Sequence, residues 1–169
     1  MARVRVPGSS ANLGPGFDAV GLALEIYNEF ELAEAETGLE IEVEGEGSGE
    51  IPRGPENLAY RAACRVFDLT GRHPGGLHMR IRNDIPLTRG LGSSAAAIVG
   101  GMVAANELVG SPLSRDDVLD LACAMEGHPD NITPTFLGGV IAAVIEGGRV
   151  HYHRFLPPRG LTLVLAIPD

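Results

Sequence analysis

The chain has 169 residues, of which 44% are hydrophobic, enough for one domain with its own core and too many for a disordered chain. Its formal net charge is −9 and it contains no lysine, so its 13 basic residues are all arginines; this excludes nucleic acid as the main partner. Apolar runs stop short of membrane-spanning length, and Arg3 and Arg5 break up the segment before Pro7, so the expectation is a cytoplasmic protein without a signal peptide or a membrane partner.

Arg3 to Val6 alternates like a strand. Ser9 to Gly16 reads as a polar, glycine-rich loop, and Phe17 to Leu32 as mostly extended. Leu39, Ile41 and Val43 alternate with Glu40, Glu42 and Glu44, which predicts a strand with one wet face. Gly45 to Pro55 is turn-rich, and its glutamates read as solvated surface. Leu58, Ala62, Val66 and Leu69 recur at three- and four-residue steps, so Asn57 to Thr70 is a helix that Gly71 stops. Leu77, Met79 and Ile81 alternate with His78, Arg80 and Arg82 as another strand. The helix Ser94 to Leu108 is apolar nearly all round and should be central.

Ser114 with Asp117 marks the cap of a third helix ending near Glu126, and Gly127 to Thr135 reads as a loop. Val140 to Ile145 and Leu161 to Ile167 read as buried strands, and Val150 to Phe155 pairs with the first of them through the Glu146-Gly-Gly-Arg149 turn. Strands and helices mix without strict alternation, so the expected fold class is α+β. A core strand two residues before Asp169 suggests one half of a longer protein. Cys64 and Cys123 sit in apolar helical patterns and read as reduced core residues.

Three loops concentrate the chemistry. The central one is Pro86-Leu-Thr-Arg-Gly-Leu-Gly-Ser-Ser-Ala-Ala-Ala97. Gly90 and Gly92 reach backbone angles closed to other residues, and Ser93 and Ser94 open an apolar helix whose first N–H groups lack partners. Such an end suits a phosphate. It is not the common P-loop, because Arg89 precedes the glycines and no lysine follows. The competing reading is a glycine-rich turn before a buried helix. Ser93 or Ser94 either offers a hydroxyl to magnesium or caps the helix.

The second loop, Pro7 to Gly21, carries Asn12 and Asp18. Asp18 suits a substrate ammonium; equally, both residues could bond their own backbone. The third is Glu126-Gly-His-Pro-Asp-Asn-Ile-Thr-Pro134. Glu126 is a candidate magnesium ligand, Asp130 a candidate base, and Asn131 or His128 a candidate holder of a hydroxyl. A surface turn rich in these residue types is the alternative.

Together the three loops resemble the small-molecule kinases that group galactokinase, homoserine kinase, mevalonate kinase and phosphomevalonate kinase. Pro86-x-x-x-Gly-Leu-Gly-Ser-Ser-Ala95 is similar to that family's phosphate loop. Pro7-Gly-Ser-Ser-Ala-Asn-Leu-Gly-Pro-Gly-Phe-Asp-Ala-Val-Gly-Leu-Ala-Leu24 and Glu126 to Gly139 resemble its homoserine kinase branch. The resemblance implies ATP-dependent phosphorylation of the L-homoserine side-chain hydroxyl, a step of threonine biosynthesis, with ATP and Mg2+ as cofactors and a homodimer as the assembly.

It further implies a nucleotide-binding set of Asn57, Pro86, Leu87, Thr88, Arg89, Gly90, Leu91, Gly92, Ser93, Ser94, Ala95 and Ala96. Ser94 and Glu126 would bind the metal. Asn12, Asp18, His128 and Asn131 would line the substrate pocket, with Asp18 near the amine. Asn131 holds the hydroxyl in this reading, and Asp130 is a secondary catalytic candidate. Residues 1–169 correspond to the family's N-terminal nucleotide-binding domain, a mixed sheet with packed helices; the family's C-terminal domain, with further substrate contacts, is missing.

Overall fold

The computed structural model describes residues 1–157, 160 and 162–164. In chain order the elements are β1 (Ala2–Ala11), β2 (Val20–Ala35), β3 (Gly38–Gly45), α1 (Leu58–Thr70), β4 (Gly76–Asn83), α2 (Ser93–Leu108), α3 (Arg115–Glu126), α4 (Ile132–Leu137), β5 (Val140–Glu146) and β6 (Arg149–Phe155). The fold is α+β, as the mixed order of elements predicts.

The strands form one six-stranded sheet around β2. β1 runs antiparallel along β2 from Ala2↔Leu32 to Ala11↔Gly21, with a register shift between Pro7 and Ser9. β4 pairs with the C-terminal half of β2, from Asn28↔Asn83 to Ala35↔Gly76, and β5 with its first residues, Val20 to Leu22. β3 joins β4 in parallel and β6 joins β5 as a hairpin.

One face of β1–β4 is wet and charged. Arg80 bonds Glu44 at 2.6 Å and Arg3 bonds Glu29 at 2.8 Å across neighbouring strands. Exposed pairs of this kind add little stability, so the sheet depends on its other face. There Phe30, Leu32, Met79 and Ile81 join one core cluster with α1 and α2. Ile98, Val99 and Met102 of α2 are at most 1% exposed, and burial of each contributes about 2 kcal/mol. Small residues allow the close approach: a Cβ on Gly100 would lie 2.2 Å from the Phe30 ring, and one on Gly101 would lie 2.1 Å from the Ala59 carbonyl oxygen.

Gly71 ends α1 in the left-handed region and Ser114 with Asp117 forms a reciprocal capping box on α3, as their sequence signals predict, while Asn57, read as the first residue of α1, is its N-cap. Four expectations need correction. Ser9, read as the start of a loop, lies within β1 and is fully buried. Gly127–Thr135 is not loop throughout, because α4 begins at Ile132. Pro134 obscured that helix in the sequence, yet it sits at the third helical position, where its missing N–H costs nothing.

The third correction concerns β5, which is buried only at its start: Val144 is 58% exposed. Finally, the strand expected over 161–167 falls mostly on residues outside those described. Thr162 to Val164, which are described, are not in a strand.

Candidate functional site

The chain leaves β4 through a buried polar knot that aims the glycine loop. The Asn28 side-chain amide donates to Asn83 Oδ1, and Asn28 Oδ1 accepts from the N–H groups of Asp84 (2.9 Å) and Ile85 (3.1 Å). Asn83 in turn donates to the Glu46 and Ile85 carbonyls. Both asparagines are nearly fully buried, and each amide is satisfied, as burial demands.

Beyond this knot the loop turns left-handed at Thr88 (φ 57°), Gly90 (φ 68°) and Gly92 (φ 72°). Gly92 is the N-cap of α2, and no side chain caps the helix. The first turn of α2 also carries no acidic residue of its own to answer the partial positive charge of its N–H groups. A side chain at Gly92 is barred twice: by its φ, and because a Cβ would lie 2.1 Å from Ser9 Oγ. The Ser9 N–H donates to the Leu91 carbonyl at 3.0 Å, which ties the loop to β1.

A cavity of about 700 Å3 opens against this helix end. Its lining includes every residue from Pro86 to Ser94, together with Asn12, Asn57 and Asn131. Apolar lining comes from Phe30, Ile51, Pro52, Leu58 and Ile81. A pocket that combines apolar walls with unpartnered backbone amides suits a flat heteroaromatic group bearing a phosphate chain. Ile51 and Pro52 were missed in the sequence, where Gly45–Pro55 reads as a turn-rich excursion. The signal lay in an apolar pair just ahead of a helix cap.

Strain gathers around this cavity. Among the described residues, five non-glycine residues have positive φ, and four of them, Asn12, Leu13, Asp18 and Thr88, lie in the two loops that supply Asn12 and the glycine turn. Such conformations cost about 1–3 kcal/mol each and tend to gather at functional sites.

The remaining candidates sit one or two hydrogen bonds behind the lining. Ser94 Oγ donates to Glu126 Oε1 at 3.0 Å. The Asp18 N–H donates to Asn12 Oδ1 at 2.9 Å, so Asn12 does bond its own loop while also lining the cavity. The Asp130 carboxylate, 2% exposed, accepts from the Asn131 N–H and pairs with His128 Nδ1, both at 2.9 Å. Asp18, Glu126, His128 and Asp130 are themselves outside the lining.

Asn57 faces the cavity, but its amide is already engaged: Oδ1 accepts from the Tyr60 N–H and Nδ2 donates to the Pro52 carbonyl. It shapes the wall near Pro52. Ala95 and Ala96 are fully buried behind the loop, and the Ala96 N–H is taken by the Gly92 carbonyl. Ser94 and Glu126 present a hydroxyl and a carboxylate side by side, oxygen donors that suit a hard divalent cation. Cys123 plays no part in such chemistry. Burial, followed by the charges of Asp120, Glu126 and Asp130, pushes its thiol up to about 12.

Comparison with known proteins gives a consistent family. Residues 57–139 match the GHMP kinases N terminal domain. The chain is 49% identical over its whole length to a homoserine kinase of Moorella thermoacetica, covering 57% of that protein. It is 50% identical over 168 residues to one from Carboxydothermus hydrogenoformans, covering 55%. The chain therefore spans about half the length of the curated relatives it matches. The crystal structure of homoserine kinase from Cytophaga hutchinsonii superposes with a TM-score of 0.76 at 27% identity, over 93% of this chain and 52% of that one. A mevalonate kinase structure (TM-score 0.70, 18% identity) shares the fold.

Proposed function

We propose that this chain, whose residues 57–139 match the GHMP kinases N terminal domain, is the nucleotide-binding half of an ATP-dependent kinase that phosphorylates the side-chain hydroxyl of L-homoserine. The observation that carries this reading is the uncapped start of α2, opened by left-handed Gly92 in the wall of the same cavity that Asn131 lines. Identity of 46–50% with homoserine kinases along the whole chain supports the choice of substrate.

In this reading the amides from Gly90 to Ser94 hold the phosphates, and the apolar walls near Ile51 and Pro52 take the adenine. Ser94 and Glu126 hold Mg2+, which supplies positive charge to the phosphate oxygens. Asn131 fixes the substrate hydroxyl, while Asn12, Asp18 and His128 surround the rest of the amino acid, with the Asp18 carboxylate toward its ammonium. The alcohol oxygen attacks the terminal phosphorus, the bond to the β-phosphate oxygen breaks to release ADP, and the hydroxyl proton passes to a transferred phosphoryl oxygen or to water. Positioning supplies most of the acceleration, since the hydroxyl loses its proton late in a loose transition state. Asp130, whose Oδ1 already accepts from His128 and the Asn131 N–H, serves chiefly to orient that pair.

The remaining substrate contacts, in particular cations for the carboxylate, belong in this reading to the part of the relatives that this chain does not span. The test uses the full-length protein with Mg·ATP and a panel of alcohols. Formation of O-phospho-L-homoserine, with L-serine and mevalonate at least 100-fold poorer in kcat/KM, is the expected result. Equal turnover of mevalonate, or ADP release independent of any alcohol, contradicts the reading.

A further inference from the structure

Ser9 belongs to none of the binding groups above, yet it touches two of them at once. Its N–H donates to the Leu91 carbonyl at 3.0 Å, and its Oγ donates to Asn131 Oδ1 at 3.0 Å. Gly92 packs so tightly on it that a Cβ there would overlap Ser9 Oγ. The residue is 0% exposed, and no other hydrogen-bond partner of its hydroxyl is found among the described residues. It thus joins β1, the start of α2 and the loop before α4 at a single point.

The direction of the Ser9–Asn131 bond has a chemical consequence. A side-chain amide has an accepting oxygen and a donating NH2 group, and the two ends look alike in shape. A hydroxyl donating to Oδ1 leaves Nδ2 as the free end. Asn131 then offers donors to the cavity it lines, and these suit an alcohol oxygen gaining negative charge or a phosphoryl oxygen. With the amide reversed, Asn131 would present an acceptor to the same oxygens and repel the developing charge.

We propose that Ser9 is a positioning residue for phosphoryl transfer: its hydroxyl locks Asn131 with the amide NH2 toward the reacting oxygens, in fixed register with the phosphate loop. The proposal rests on the kinase reading and adds the orientation of one of its groups. Ser9 acts through Asn131 and touches neither substrate nor nucleotide with its side chain.

The test compares Ser9→Ala, Asn131→Ala and the double variant in the full-length enzyme. Ser9→Ala removes the hydroxyl and keeps the N–H bond to Leu91, so the KM for Mg·ATP should stay within about twofold while kcat falls about tenfold, the size of one lost hydrogen bond. In the Asn131→Ala background the same change should have almost no further effect on kcat, because the two residues act as a unit. Ser9→Thr, which restores the hydroxyl, should recover more of the rate than Ser9→Cys.

A Ser9→Ala rate equal to wild type, or a penalty that multiplies fully with that of Asn131→Ala, overturns the proposal. Should wild type phosphorylate no alcohol, the kinase reading falls, and the lock is read separately by NMR. Ser9→Ala must then shift the Asn131 Nδ2 amide signals of the free protein, and unchanged signals overturn the lock as well.

Discussion

Glu126→Gln is expected to lower kcat for phosphoryl transfer in the full-length protein by about 100-fold or more, the scale of losing a charged ligand from a metal-assisted transfer site. The substitution keeps the size of the side chain and an oxygen that can still accept from Ser94 Oγ, now 3.0 Å from Glu126 Oε1. Folding should therefore be little affected, and the loss should appear in the concentration of Mg2+ needed for half-maximal rate as well as in kcat. Raising Mg2+ should recover part of the activity, as expected when a ligand charge rather than a scaffold contact has been removed. A variant with wild-type rate and wild-type Mg2+ dependence would take Glu126 out of the site.

Gly92→Ala is expected to disrupt the glycine loop. The residue has φ 72°, and its new Cβ would lie 2.1 Å from Ser9 Oγ and 2.8 Å from Ser9 N. Ser9 is buried and held through both its N–H and its hydroxyl, so it cannot step aside. The loop must move instead, which withdraws the α2 amides from the cavity and costs about 2–4 kcal/mol in stability. Affinity for Mg·ATP should fall by 100-fold or more by about the same free energy. Gly90→Ala is the control: it has a similar φ of 68°, but nothing lies within 4 Å of its Cβ, so it should cost about 1 kcal/mol. Equal nucleotide affinity in the two variants would show that the tight approach to Ser9 is irrelevant to binding.

The periodic parts of the fold were legible in the sequence because each carries one clean pattern. The alternation of Leu39, Ile41 and Val43 with glutamates gave β3, and the apolar run after Ser93 gave α2. The stop at Gly71 and the cap at Ser114 were legible for the same local reason. The α4 helix was not, since it has only six residues and contains Pro134, and its stability comes from burial of Ile132 and its neighbours rather than from propensity.

Of the five asparagines that line the cavity, Asn12 and Asn131 were singled out from their loops and Asn57 through the resemblance, as was the glycine loop; Asn28 and Asn83 were not. What sequence did not convey was how they connect. Ser9 looked like loop, because its partners Leu91 and Asn131 are far away in the chain. Ile51 and Pro52 went unremarked in a turn-rich segment, because the wall they form exists only once Asn57 fastens Pro52 to the start of α1. Likewise Asp130 read as a candidate base, and only the fold shows it held against His128 and the Asn131 N–H.

The central claim is that backbone amides at the start of α2 hold the phosphates without help from any lysine. Its most direct test is a titration of 15N-labelled protein with a non-hydrolysable ATP analogue and Mg2+. Large shifts of the Gly90, Leu91, Gly92, Ser93 and Ser94 N–H signals, lost in Gly92→Ala, are the predicted result. Saturable binding that leaves those five signals in place would contradict the account.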